Sequence, residues 1–421
     1  MTVMYDSLET IGRYRAHVNA GLARLASFSG GHCEVRSEGS LVYDEEGHAY
    51  LDCGGYGVFL LGHRHPRVCA AVKRQIDEHP LATRILLSPT LADACEALAR
   101  VSPAGLDYAC LTNSGAESTE LALKLARLAG KRRVISTVGG YHGKTLGALS
   151  VTGRAHYRRS FEPLLPDVEF VPYGSAKAVE EAASGGAPAC LIVEPVQGEG
   201  GVVVPPPGYL RELRRICHEH DVLFVLDEIQ TGLGRLGTWW GADREDVCPD
   251  VLLVGKGLSG GVVPVAAVVA TAAAFAGLNR DPLLHSSTFG GSPIAAAAAR
   301  AAIETIEEED IVSAAAGLGE LLRERVEATV AAGCGSLVRE VRGAGLLIGI
   351  EFEAEHLAGD FFLEMLSRRV ILSHSLNAQR VVRLTPPATL SEAEVEWLCA
   401  ALTESAAAVA DRYAGMAQEV A

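Results

Sequence analysis

The chain has 421 residues, 48% of them hydrophobic, more than the roughly 250–300 at which a single core stops growing, so two domains are expected. A formal net charge of −15, with only 37 scattered Lys and Arg residues, gives no basic face and argues against nucleic acid as a partner. Ten cysteines lie far apart, with no C-x-x-C pair and no secretory leader, so they read as small core hydrophobes of a cytoplasmic protein, and no metal site is expected.

Residues 1–55 are expected to form an arm whose strand-turn-strand "GSLVYDEEGHAYLD" completes a smaller domain. From 56 to 314 short apolar runs alternate with helical stretches. Runs without alternation suit strands buried on both faces, and helices between them imply right-handed crossovers in a mostly parallel sheet, an α/β fold. "YACLT" leads into Asn113-Ser114-Gly115-Ala116-Glu117, where S-x-x-E matches a capping box opening the helix "AESTELALKLARLAG". "VIST" leads into Gly139-Gly140-Tyr141-His142-Gly143, and "CLIV" into Glu194. "VLFVL" ends at Asp227, and "VLLV" at Gly255-Lys256.

Between the last two lies "GLGRLG", which spells the G-x-G-x-x-G of a dinucleotide-binding turn. Five residues separate it from its strand, and "TWWGADREDVCPD" after it has no apolar stripe, so it reads as a loop. Trp239-Trp240 read as core or as the lining of a substrate entrance. "GGVVPVAAVVATAAAFAGL" (260–278) is uncharged and nearly as long as a membrane span, but its Pro264 and its division into β-branched and Ala-rich halves favour a strand then a helix. From 315 to 421, mixed strands and helices and a charged terminal helix from Ser391 suggest a smaller α+β domain.

Ligands of an open parallel sheet bind beyond the carboxyl ends of its strands, so the groups closing these runs can share one rim. Each has a structural explanation alone: a cap at Ser114, a salt bridge or a cap at Asp227; His142 beside Tyr141 either orients that ring or is a loop residue. Together they match pyridoxal phosphate. That cofactor needs a lysine to bond its aldehyde, an acid to keep its ring nitrogen protonated, an aromatic against the ring and a phosphate cup. Lys256, Asp227, Tyr141 and Ser114-Gly115-Ala116 would fill these roles. Desolvation makes such a lysine nucleophilic by disfavouring its ammonium form.

"LTNSGAESTELALKLAR", "GGYHGKTLGALS", "EPVQGEGG", "LFVLDEIQTGLGR", "VGKGLSGG" and "HSSTFGGSPIA", in this order, resemble class III (ω-amino acid) aminotransferases, pyridoxal-phosphate enzymes of fold type I, from about Leu41 to Pro387. "GGYGVFLLGHRHP", "FEPLLP" and "VPPPGYL" most resemble the putrescine (diamine) branch. The resemblance implies a large cofactor domain and a smaller α+β domain, and a ping-pong transfer of a terminal amino group to 2-oxoglutarate, or the reverse from glutamate to an aldehyde. It makes Lys256 the Schiff-base lysine and proton carrier, Asp227 the partner of the ring nitrogen, and Tyr141 the stacking aromatic. Gln230 falls near the ring oxygen, and Thr288 reaches the phosphate from the second subunit of a homodimer, or of a tetramer.

Glu199 of "GEGG" would pair with Arg383 of "R-x-x-P-P", which receives the carboxylate of glutamate or 2-oxoglutarate. Lys144 stands where ornithine-type members carry an arginine that grips a substrate carboxylate, and a lysine lacks its bidentate fork, which favours a diamine. Tyr56 falls on the pocket wall. Ornithine or acetylornithine transamination, an aminomutase on the same fold, and a nicotinamide oxidoreductase are the alternatives.

Overall fold

A computed structural model of the chain describes residues 5–419. Three strands, β1 (Glu34–Glu38), β2 (Leu41–Asp44) and β3 (Ala49–Asp52), form an antiparallel meander after two short N-terminal helices. The central strands follow: β4 (Tyr108–Thr112), β5 (Arg133–Thr137), β6 (Val168–Val171), β7 (Ala189–Val193), β8 (Leu223–Asp227), β9 (Val251–Val254) and β10 (Ala266–Ala270). They assemble in the order β4-β10-β9-β8-β7-β5-β6. β5 to β9 pair in parallel, and β10 alone runs antiparallel to both its neighbours.

β7 to β10 are buried at every position, as expected of unbroken apolar runs with helices on both faces. The uncharged segment 260–278 resolves into β10 and the start of the helix Ala272–Arg280. Among the described residues no helix is long and apolar enough to cross a membrane.

The C-terminal part contributes β11 (Val338–Ala344), β12 (Leu347–Phe352), β13 (Val370–Ile371), β14 (Ser373–Ser375) and β15 (Ala378–Leu384). β11, β12, β15 and β14 form a second antiparallel sheet, while β13 adds in parallel to β3 and ties residues 49–52 to the chain's far end. β14 and β15 are joined by the two-residue turn Leu376–Asn377.

The loop carrying G-x-G-x-x-G is built of turns, and beyond it comes only the five-residue 3-10 helix Gly241–Glu245. Its glycines serve close packing: a Cβ at Gly232 would lie 2.7 Å from the Trp240 ring, and at Gly237 2.9 Å from Ala316. Arg235 inside it is buried and donates through Nη1 to the carbonyls of Pro386 (2.5 Å) and Leu346 (3.3 Å), stitching the loop to the C-terminal part. Burial lowers its pKa to about 9. Trp240 is core, its Nε1 donating to Val101 O at 2.6 Å, and Trp239 packs beside it.

Candidate active site

Because β9, β8, β7 and β5 are neighbours, their carboxyl ends bring Lys256, Asp227, Glu194 and the Gly139–Gly143 turn together. They line a cavity of about 250 Å³ with Gly115, Ala116, Lys144, Ile229 and Gln230. Tyr141 and His142 line it too. Lys256 begins a short helical turn with φ 44°, a left-handed value unusual outside glycine that sets its side chain at the strand end. Burial pushes its pKa down to about 8, and the nearby charges of Glu199 and Arg383 act on it in opposite directions. A substantial fraction of this amine is thus neutral near pH 8, as a nucleophile and proton carrier requires.

Asp227 is buried and shares its two oxygens. Oδ1 accepts from Ile229 N at 3.1 Å, and Oδ2 lies 2.7 Å from His142 Nδ1. His142 is itself buried; burial opposes a charged ring, but the hydrogen bond and charge of Asp227 outweigh it and raise the pKa. Glu194 accepts from Tyr141 N (2.9 Å) and Gly198 N (3.1 Å), and its burial lifts the carboxyl to about 7.

The helix Gly115–Leu128 starts at the cavity wall. Ser114 Oγ accepts from Glu117 N at 3.3 Å, but Glu117 Oε2 reaches past the cap to Asn113 N at 2.9 Å, which departs from the reciprocal capping box. The same turn leaves amides of Gly115 and Ala116 free to face an anion at a helix start. Gly143 closes over them; a Cβ there would stand 2.7 Å from that of Ala116.

Of the remaining residues singled out in the sequence, Lys144 lines the cavity at its rim, and Glu199, Arg383, Tyr56 and Thr288 lie outside the lining. Glu199 and Arg383, both buried, form an ion contact of 2.8 Å behind it. Arg383 sits on β15, and its Nε, Nη1 and Nη2 have no aligned hydrogen-bond acceptor among the described residues. Lys144 is exposed, its Nζ 4.3 Å from the Tyr157 ring centre. Tyr56 is exposed. Thr288 is exposed and does not line the cavity, but Ser287 Oγ accepts from Asn113 Nδ2 at 2.9 Å, which places the segment beside the Ser114 turn.

Two residues acquire a place that sequence reasoning did not give them. His142, which from sequence either orients the Tyr141 ring or is a loop residue, meets Asp227 instead; Asn377 carried no signal, since only the tertiary fold brings it to Gly139.

The residues present fit pyridoxal phosphate. Gln230 Nε2 and His142 Nε2 are buried polar atoms with no partner among the described residues, and both side chains line the cavity. Gln230 could donate to the ring oxygen of the cofactor, Asp227 could hold its ring nitrogen, and the Gly115–Ala116 amides its phosphate. A lysine amine and a buried acid at adjoining ends of such a sheet define a fold-type I pyridoxal-phosphate enzyme.

The chain belongs to the aminotransferase class-III family, whose model matches residues 29–405. It is similar over 97% of its length to the ornithine aminotransferase from Toxoplasma gondii, with 32% identity, a TM-score of 0.90 and 96% of that chain covered. An (S)-enantioselective ω-transaminase from Thermomicrobium roseum matches with 28% identity and a TM-score of 0.88 over 96% of this chain and 99% of its own. An ω-transaminase from Pseudomonas jessenii, in complex with PMP, matches with 27% identity and a TM-score of 0.86 over 92% and 95%. The chain is therefore a pyridoxal-phosphate-dependent aminotransferase.

Proposed function

We propose that this aminotransferase moves a terminal amino group from a diamine or ω-amino compound to 2-oxoglutarate, or in reverse aminates an aldehyde with glutamate. The observation that carries the reading is the buried Glu199–Arg383 contact behind Lys256. A guanidinium with unfilled donors beside the reacting amine can take a carboxylate, and its glutamate partner can mask the charge when the substrate has none. One pocket then serves two substrates in turn.

Lys256 would bond the cofactor, and its amine would take and return the proton at the substrate carbon. When bound, pyridoxal phosphate supplies an electron sink for the bond broken at that carbon. Asp227 would hold a proton on the ring nitrogen, and the His142 contact keeps its Oδ2 in place. Tyr141, its backbone fixed by Glu194, would supply the aromatic face against the ring. Burial raises the Tyr141 hydroxyl to about 12, so it stays neutral.

Lys144 at the rim supports a donor without a carboxylate near its reacting amine. The likeness to an ornithine aminotransferase favours a second reading, ornithine or acetylornithine as donor. An amine panel with 2-oxoglutarate, read by glutamate formation, separates the two. Putrescine or cadaverine ahead of ornithine and acetylornithine upholds the diamine reading, and ornithine ahead of every diamine overturns it.

The working unit in this reading is a homodimer with Thr288 reaching across. Ile85, Leu86, Leu87, Leu283 and Phe289 are more than half exposed, a concentration of large apolar side chains that supports a protein partner. Ten free cysteines support a reducing, cytoplasmic setting. The domains are taken as 56–314 for the cofactor unit, with 1–55 and 315–421 forming the smaller one.

A further inference from the structure

The turn Leu376–Asn377 between β14 and β15 belongs to the C-terminal part but meets the active-site loops. Leu376 N donates to Glu199 Oε2 at 2.8 Å, and Asn377 N donates to Glu199 O at 2.9 Å. Arg383, which contacts the other carboxylate oxygen of Glu199, lies on the same hairpin. Three further hydrogen bonds fasten the turn to the large domain. Asn377 Nδ2 donates to Gly139 O at 2.9 Å, Tyr157 Oη donates to Leu376 O at 2.8 Å, and Arg154 donates to Asn377 O.

We propose that Asn377 is a positioning residue: by anchoring this turn it keeps Glu199 in place when Arg383 turns to a substrate carboxylate, and so sets how well the enzyme uses a dicarboxylate. The inference rests on the Arg383 reading above. Glu199 is buried, and a buried carboxylate cannot lose its only partner cheaply. With the turn seated, Leu376 N remains as its partner after the guanidinium leaves. With the turn unseated, Arg383 is the one strong partner left, and an incoming carboxylate must compete with Glu199 for it. A donor without a carboxylate leaves Arg383 where it is and does not draw on the turn.

In a ping-pong reaction kcat/KM for each substrate reports its own half-reaction, so the two demands separate. Asn377→Asp places an acceptor against the Gly139 carbonyl, and Asn377→Ala removes the donor. In holoenzyme, both should lower kcat/KM for 2-oxoglutarate about tenfold, roughly the worth of one hydrogen bond, and weaken inhibition by unreactive glutarate as much. kcat/KM for putrescine, or for the best carboxylate-free donor, should move less than about threefold. Tyr157→Phe, which removes one hydroxyl from the same turn, should give a split of two- to threefold in the same direction. Equal losses for both substrates, or none for 2-oxoglutarate, overturn the positioning role, and the Tyr157→Phe split decides if the Asn377 variants do not fold. Arg383→Ala that leaves 2-oxoglutarate use intact would instead overturn the reading on which the inference rests.

Discussion

His142 Nδ1 stands 2.7 Å from Asp227 Oδ2, and both side chains are buried. Asp227 ends β8 and His142 follows β5, so a contact across two strand ends orients the acid proposed to meet the cofactor ring. Replacing His142 with Phe should leave the fold intact and lower kcat about 10- to 100-fold, the worth of one hydrogen bond to a charged group. Asp227→Ala, which removes the acid itself, should cost 10²-fold or more by analogy with the loss of one preorganised electrostatic group, which costs about 10²–10³. Steady-state rates on cofactor-saturated protein test the order; a His142→Phe enzyme as slow as Asp227→Ala would contradict it.

Lys256→Ala should abolish turnover and the visible absorbance of covalently held cofactor. In the wild-type apoprotein the neutral amine is the species that bonds the aldehyde. With its pKa lowered to about 8, the rate of recombination with pyridoxal phosphate should rise with pH through that value and level off above it. A midpoint near the ordinary lysine value of 10.5 would show that burial does not act on this amine as described.

Lys144→Arg supplies the fork that Lys144 lacks at the cavity rim. The ratio of kcat/KM for ornithine over putrescine should rise by about tenfold, the effect expected of one bidentate carboxylate contact. An unchanged ratio, measured with 2-oxoglutarate at saturation, would remove Lys144 from the account of donor choice.

Glu228 points away from the cavity, accepting from Ala242 N at 2.8 Å and from the Thr231 hydroxyl. Burial raises its pKa to about 7 from 4.5, so the folded chain holds this proton more tightly than the unfolded one. Its contribution to stability is complete below 4.5 and is lost as the pH climbs through about 7. Glu228→Gln should therefore flatten the fall in apoprotein stability between about pH 5 and pH 8 by on the order of 3 kcal/mol. Denaturant melts at the two pH values measure this, and parallel slopes in wild type and variant would refute it.

Thr288→Ala should raise the dissociation constant for the cofactor by about tenfold, as expected for one hydrogen bond to a charged phosphate. Ile85→Asp combined with Leu87→Asp, at two strongly exposed apolar positions, should shift sedimentation toward a monomer and loosen the cofactor likewise. A monomer that binds cofactor as tightly as the wild type would place Thr288 outside the site.

Periodicity and the residue types at strand ends sufficed for six of the seven strands of the central sheet, β6 excepted, for the helix opening at Gly115 and for the group of residues around Lys256. That legibility has a physical cause. A strand buried on both faces must be wholly apolar, so a charged residue ending such a run is visible as an exception, and the ends of neighbouring parallel strands must lie side by side. The same reasoning separated the glycines near Arg235 from a dinucleotide turn, because a loop without an apolar stripe cannot pack as the required helix.

Only the tertiary structure decided the rest. The reversal of β10, the pairing of β13 with β3, the Asp227–His142 contact and the seating of Asn377 on Gly139 join residues distant in sequence. A hydrogen bond between such residues leaves no period and no spacing behind. The sequence by itself determined which chemical groups were present and which strands would carry them. The fold determined which of those groups touch, since that depends on strand order and on where a two-residue turn from the far end of the chain comes to rest.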